Sequence, residues 1–188
     1  MQSKPEESDA DLLRRMERGD RQAFATLYRR HQSALYRFAL QMSGEPGIAE
    51  EVTQDVFLLL MRDAKSYDPA RGPLPSYLYG VARNYVYRAL RRERPYAASL
   101  DDQDAAEFVE PSEDALSGLT RAQQMDALRR AILSLPEAYR EAVVLCELHE
   151  LDYAAAASAI GCPVGTVRSR LHRARALLLE KMRERCPA

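Results

Sequence analysis

Tryptophan is absent from the 188 residues, cysteine occurs only three times, and no apolar run is long. The longest such run, Val56–Met61, has six residues, whereas a helix needs about 20 apolar residues to cross a bilayer; no membrane insertion is expected. Residues 1–20 are polar and mixed in charge, without the basic start and apolar stretch of a signal peptide. A cytoplasmic protein is the expectation. Cys146, Cys162 and Cys186 have no paired spacing, which argues against a disulfide framework and fits a reducing compartment. Cys146 and His149 lie three apart on an expected helix, but two ligands without a second pair make a poor zinc site. A partly buried thiol near a surface histidine is the default there. The sequence also lacks a convincing alternating strand, a nucleophile–base constellation and a glycine-rich phosphate cradle. Those gaps point away from an enzyme, a metal or a cofactor.

A large net charge is missing as well, but the value of −1 conceals segregation. Residues 61–98 carry eight Lys/Arg against three Asp/Glu, and residues 164–188 carry seven against two. Between them, residues 99–116 hold seven acids and no base. Local basic blocks set the field that a phosphate backbone feels, so a near-neutral total says little against nucleic acid.

Helical periodicity fills the rest. Helices are expected over Asp9–Arg18, Arg21–Met42, Ile48–Ala64 and about Ser76–Arg92, with Ser43–Gly47 as a break. Residues 67–75, with three prolines and a glycine, cannot form regular helix. Further helices are expected at Arg121–Ser134, Pro136–Leu148, Tyr153–Ile160 and Pro163–Arg185. Residues 95–120 read as an acidic flexible linker, because few large apolar groups there give little to bury. The fold class is therefore all-α: two small helical domains, residues 1–94 and 121–188, joined by a tether. The tether's acids are expected to compete with DNA for the basic faces of the free chain.

The sharpest local pattern lies at Leu151–Leu179, a short helix, Gly161-Cys162-Pro163, and a longer basic helix. Gly161 suits a left-handed helix end and Pro163 the first turn of the next helix. Ala157 is small where the two helices cross. Val167, Leu171, Ala174 and Leu178 form a buried stripe, leaving Arg168, His172 and Arg175 outward with Ser169 and Arg173 beside them. Such a helix-turn-helix fits the major groove, where Arg pairs with guanine. The plainer reading is a solvated basic helix at the end of a bundle.

In the helix near residues 76–92, Leu78, Ala82, Tyr85 and Ala89 are expected to be buried. Tyr77, Asn84, Arg88 and Arg91 share another side, flanked by Arg83 and Tyr87. Six of the ten tyrosines fall between Tyr67 and Tyr96 among basic residues; aromatic rings between cations suit unstacked bases, although tyrosines at helical spacing are usually packing residues. In the third helix, Ile48, Val52, Val56 and Leu59 make a core stripe. Glu51, Gln54, Leu58 and Met61 make a second stripe almost opposite, either a partner surface or a face covered within its own domain.

These stretches resemble a known family. Ala49-Glu50-Glu51-Val52-Thr53-Gln54-Asp55-Val56-Phe57 resembles the polymerase-binding helix of sigma-70 family sigma factors. Tyr67-Asp68-Pro69-Ala70-Arg71-Gly72, followed by Tyr77-Leu78-Tyr79-Gly80-Val81-Ala82-Arg83-Asn84, is similar to their promoter-melting segment. Pro163-Val164-Gly165-Thr166-Val167-Arg168-Ser169-Arg170-Leu171-His172-Arg173-Ala174-Arg175 resembles their upstream-element reader, and the missing intermediate domain points to the extracytoplasmic-function type. The resemblance implies a dissociable, non-enzymatic promoter-specificity subunit answering stress or envelope signals. Its partners would be core RNA polymerase, promoter DNA as duplex and as melted strand, and an anti-sigma factor. Glu51, Gln54, Asp55, Leu58 and Met61 would dock on polymerase. Tyr67, Arg71, Gly72, Tyr77, Arg83, Asn84 and Arg88 would serve the minus-ten element. Thr166, Arg168, Ser169, Arg170, His172 and Arg173 would read the minus-thirty-five element. This chain departs from the family at Tyr77, where tryptophan is usual, and at Leu74, where phenylalanine is common. Ala155 and Ala156 stand in place of an acid and a branched aliphatic, a change expected to loosen the helix-turn-helix.

The tether length agrees with this reading. The 23 residues of 95–117 reach at most ~80 Å at roughly 3.3–3.6 Å each, and two promoter elements about two DNA turns apart lie ~70 Å apart. Two alternatives remain: a two-component or quorum-type regulator, opposed by the all-helical first half, and a polymerase-docking adaptor that binds no DNA, opposed by the outward arginines.

Overall fold

Capping chemistry sets the first boundaries. In the computed structural model, which describes residues 7–93 and 121–184, Ser8 Oγ accepts from the Asp11 amide and opens α1 (Asp9–Glu17). Asp20 accepts from the amides of Gln22 and Ala23 and opens α2 (Arg21–Ser43). Each cap satisfies a helix-end N–H that lacks a partner, worth about 0.5–2 kcal/mol. Gly44, at φ +80°, ends α2, and Pro46 occupies the first turn of α3 (Pro46–Arg62). Two 3₁₀ turns, Ala64–Ser66 and Pro69–Arg71, lead to α4 (Leu74–Glu93). That helix begins two residues earlier than Ser76, since Pro75 fits its first turn without losing a ladder bond.

Helices α1–α4 close around Leu12, Leu27, Leu35, Phe38, Met42, Val52, Val56 and Leu78, all at most 2% exposed. Burying each large side chain contributes roughly 1.5–3 kcal/mol. Two sequence expectations need correction. Leu60, not Leu59, continues the α3 stripe, at 1% exposure while Leu59 is half-buried. In α4, Val86 and Tyr79 are buried and Tyr85 is only half-buried. Both errors chose a +3 step where the helix takes +4.

The second half comprises α5 (Arg121–Leu133), α6 (Glu137–Val143), a π-helical turn (Val144–Leu148), α7 (Tyr153–Ile160) and α8 (Val164–Glu184). The π turn, closed by His149 N–H donating to Val144 O at 3.0 Å, was not expected within a continuous 136–148 helix. Such turns shift register by one residue and recur at functional sites.

The two halves pack on each other and share one hydrophobic core. Arg140 Nη1 donates to Met42 O at the end of α2, while Nη2 donates to Leu133 O and Leu135 O. Helix α7 lies against α4, with Gly80 so close that a Cβ there would meet Ala159 O at 3.0 Å. The acidic 95–120 segment lies outside the described residues, as does Cys186. Among the described residues, no helix is long and apolar enough to cross a membrane.

Candidate nucleic-acid and polymerase interfaces

The reader hairpin follows from its turn chemistry. Asp152 Oδ1 accepts from Ala155 N at 2.7 Å to start α7. Gly161 ends α7 at φ +78°, a left-handed conformation that a side chain resists. Val167, Leu171 and Ala174 are buried at 0–2% exposure, and this fixes the opposite face of α8 toward solvent. Arg168, Ser169, His172 and Arg173 are exposed there, and Thr166 is half-buried. Their environments differ. The Arg168 guanidinium lies 5.5 Å from the Tyr153 ring centroid, held by cation–π attraction. Ser169 Oγ donates to Thr166 O at 3.0 Å, within its own helix. Arg173 Nη1 donates to Tyr139 OH at 3.5 Å. Arg175 is exposed on the same side, as expected, and pairs with Glu147 at the surface. Arg170 is turned inward toward Glu141.

Ala156 is fully buried and Ala155 half-buried. The close approach of α7 to α4 is made by Ala159 at Gly80.

The loop preceding α4 is organised by aromatic rings and one glycine. Tyr67 OH donates to Gly72 O at 3.0 Å, and the Tyr67 and Tyr77 centroids are 5.5 Å apart. Tyr77 OH also meets Ser66 Oγ. Asp68 Oδ1 accepts from Ala70 N at 2.9 Å. Gly72 sits at φ +135°, open to glycine alone without strain. Burial raises the Tyr67 phenol pKa, assisted by Asp9 and Asp68, so the ring stays neutral. Asn84 and Arg88 are exposed on α4, and Arg88 lies over the Tyr85 ring at 5.2 Å. Arg71 is exposed, but its carbonyl accepts from Ser158 Oγ of α7 at 2.9 Å.

The docking set on α3 divides. Leu58 and Met61 are exposed at 44% and 58%, uncovered by their own domain. Gln54 is exposed and Asp55 half-buried. Glu51 holds Arg92 of α4 through two bonds of 3.1 and 2.9 Å, and this partner depresses its carboxyl pKa.

Sequence reasoning missed the residues that join the two sets. Glu141, 1% exposed, accepts from Arg83 Nε and from Tyr87 OH at 2.9 Å through Oε2, and from Arg170 Nη1 at 3.0 Å through Oε1. Arg83 is one of the residues expected at the minus-ten element and Arg170 one of those expected at the minus-thirty-five element, yet one carboxylate holds both. Burial and the nearby Glu141 charge push the Tyr87 phenol well above its ordinary value. A second junction centres on His149: Nδ1 meets Tyr79 OH at 2.9 Å and Nε2 meets Gln41 Oε1 at 2.9 Å. The amide oxygen only accepts, so Nε2 carries the proton and Tyr79 OH donates to Nδ1. Burial, with the Arg37 charge behind it, lowers the His149 pKa to about 4. The available sequence signal was Glu141 itself, an acid among apolar neighbours in Ala142-Val143-Val144-Leu145.

Known proteins match along the same two halves. The family described as Sigma-70 region 2 matches residues 27–96, and Sigma-70, region 4 matches residues 125–178. The ECF RNA polymerase sigma factor SigM of Mycobacterium tuberculosis (strain H37Rv) is 35% identical over 178 residues, 92% of this chain and 84% of that protein. SigW of Bacillus subtilis, also an ECF RNA polymerase sigma factor, is 27% identical over 183 residues, covering 92% and 95% of the two chains. SigE of Mycolicibacterium smegmatis is 33% identical over 151 residues, which span 79% of this chain and 57% of SigE. Among solved structures, sigma factor RpoE in complex with the anti-sigma factor NepR from Bartonella quintana aligns with a TM-score of 0.63 and 26% identity, covering 85% of this chain and 96% of RpoE. CnrH, solved with the cytosolic domain of CnrY, shares the fold at a TM-score of 0.67 and 24% identity, covering 92% and 95%.

Proposed function

The chain belongs to the ECF RNA polymerase sigma factors, and on that premise we propose how its surfaces divide the work of a promoter-specificity subunit. A sigma factor directs initiation by binding and makes no covalent bond. Residues 1–94 dock on the polymerase clamp and recognise and melt the minus-ten element. Residues 121–188 read the minus-thirty-five duplex, and residues 95–120 span the distance between.

The observation that carries this reading is the α8 face, where Arg168, His172 and Arg173 stand outward above a fully buried Val167–Leu171–Ala174 stripe. An arginine held by an aromatic ring enters the groove with less freedom to lose and can bond one guanine through two donors. The first half complements it with paired rings at Tyr67 and Tyr77 beside Gly72, suited to an extruded base. Asn84, Arg83 and Arg88 hold the adjacent strand. Stacking worth about 1–3 kcal/mol per base offsets the few kcal/mol of unstacking. On α3, Leu58 and Met61, with Glu51, Gln54 and Asp55 around them, meet the polymerase.

The site of action is the cytoplasm, where polymerase and promoters are. Because RpoE of Bartonella quintana was solved with an anti-sigma factor, an anti-sigma partner responding to stress or envelope signals belongs to this reading. Run-off transcription with core polymerase tests the whole. The chain should support initiation that fails when either promoter element is scrambled; initiation indifferent to the upstream element would remove the reader assignment.

A further inference from the structure

The arginines of α4 are held in two different ways. Arg83 and Arg92 are held by carboxylates, Glu141 and Glu51. Arg88 is held by a ring: its guanidinium carbon lies over Tyr85, 5.2 Å from the centroid, within the range of cation–π attraction. The difference matters to an anion. A guanidinium bonded to a carboxylate must surrender that partner before it takes a phosphate. Attraction to a ring face leaves the positive charge available and does not consume N–H donors as a carboxylate does.

The surroundings define what Arg88 meets. It is exposed, whereas Tyr85 is half-buried and packed against the core. The ring is thus fixed by the fold, and it restrains a long side chain that is otherwise costly to order on binding. Asn84 is exposed one turn earlier on the same side of the helix. Its Oδ1 accepts from Arg83 Nη1 at 3.4 Å, so the group it still offers is its NH2, a donor only. Asn84 and Arg88 together therefore present donors, which match the acceptor oxygens of a phosphate. Tyr77 shares this side. Asn84 lies roughly 10 Å and Arg88 roughly 16 Å farther along α4, at about 1.5 Å per residue.

We infer that Tyr85 is a positioning residue of the melting half: its ring presets Arg88 to take a backbone phosphate of the unpaired strand, on a donor track that runs from Tyr77 past Asn84. The inference rests on the proposed role of Arg88 in holding that strand. It adds the ligand, a phosphate, and the residue that aims the donor. Because a phosphate is read without regard to base, this contact strengthens binding to the melted strand equally for every sequence.

The test uses the full chain, in which Arg88 is exposed, and a labelled mixed-sequence single strand of about 16 nucleotides. Fluorescence anisotropy gives the affinity from about 50 to 200 mM salt. The variants are Tyr85→Leu, Tyr85→Phe, Arg88→Ala and the double variant Tyr85→Leu/Arg88→Ala. Leucine keeps apolar cover over the core but has no π face; phenylalanine keeps the face. Circular dichroism checks that all four share the wild-type fold.

Arg88→Ala should lower the salt slope by about 0.7, for one phosphate on a single strand, and weaken binding about tenfold at the lowest salt. Tyr85→Leu should weaken binding about two- to fivefold with the slope unchanged, since the charge is still present. Tyr85→Phe should bind as the wild type does. In the Arg88→Ala background, Tyr85→Leu should cost nothing further, because it acts only through Arg88. Additive losses in the double variant would overturn the inference, as would a Tyr85→Phe as weak as Tyr85→Leu. Undiminished binding by Tyr85→Leu beside a weakened Arg88→Ala would overturn it while leaving the strand-holding role of Arg88 in place. Undiminished binding by Arg88→Ala would remove that role and the inference with it.

Discussion

Leu58 and Leu60 lie two residues apart on α3, and aspartate at the first should separate binding from folding. Leu58 is 44% exposed and Leu60 1%. Replacing Leu58 forfeits about half of the roughly 1.5–3 kcal/mol that full burial of a leucine contributes. The expected loss is ~1 kcal/mol, or about 2–4 °C in Tm for a chain of this size. Leu60→Ala, by contrast, leaves a cavity in the shared core and costs about 2–5 kcal/mol, a shift of roughly 4–20 °C. On polymerase, the Leu58→Asp carboxylate would face an apolar surface without a partner. That penalty is at least ~2 kcal/mol, about 30-fold in affinity. Circular dichroism and thermal melts, followed by competition for core polymerase against the wild type, read both quantities. Leu58→Asp should melt within a few degrees of wild type and lose polymerase, while still binding duplex DNA. Melting as low as Leu60→Ala would show that the outer stripe is internal packing. Normal melting with undiminished polymerase binding would remove α3 from the docking surface.

Other consequences are equally open to measurement. Arg168→Ala should cost about 1–3 kcal/mol in promoter binding and relax preference at one base pair; equal affinities across all sequences at fixed salt would take Arg168 out of the reading set. Tyr153→Ala should produce a smaller loss at that same base pair, checked on the same duplexes, because it frees the Arg168 guanidinium. Asn84→Ala should leave polymerase binding intact and impair strand opening, seen as reduced permanganate reactivity of unpaired thymines. His149 has a folded pKa of about 4 against 6.5 for the free group, so the unfolded chain binds the proton more readily. Stability should therefore be fully present above about pH 6.5, fall as the pH drops toward 4, and fall less steeply in His149→Gln; identical melting curves across that window would contradict the buried, neutral assignment.

Much of this architecture was written in local chemistry. Ser8, Asp20, Gly44, Pro46 and Gly161 act within a turn of themselves, so helix boundaries came within about two residues, except at the π turn. Stripe assignments held where small and large residues alternated clearly, as at Val167, Leu171 and Ala174, while Leu178, expected to continue that stripe, is only half-buried. They failed where two adjacent aliphatics competed, because Leu59 and Leu60 differ only in which neighbours lie across the interface. The exposure of Leu58, Met61, Arg168 and Asn84 agreed with the sequence pattern. What local pattern did not disclose was the meeting of the halves. Competition for the basic faces was expected from the acids of residues 99–116, which lie outside the described residues; among the described ones, the carboxylate on Arg83 and Arg170 is Glu141. Bonds such as Glu141–Arg83 and His149–Tyr79, 58 and 70 residues apart, depend on three-dimensional approach and leave no periodic trace.

The alanines of α7 have a consequence for how firmly the halves hold together. Ala156, Ala157 and Ala159 surrender no rotamer freedom on docking and bring little apolar area to it, so α7 by itself, offered as a separate molecule, would hold the first half weakly. Surfaces joined in one chain, however, meet at an effective concentration on the order of 1 mM. A contact with a dissociation constant of about 0.1 mM between separate pieces would then be closed about nine-tenths of the time. The same contact would yield to any competitor offering ~1.4 kcal/mol, since that is a tenfold change in the balance. Small side chains thus keep the α7 contribution to the contact low, and within one polypeptide even a low contribution counts.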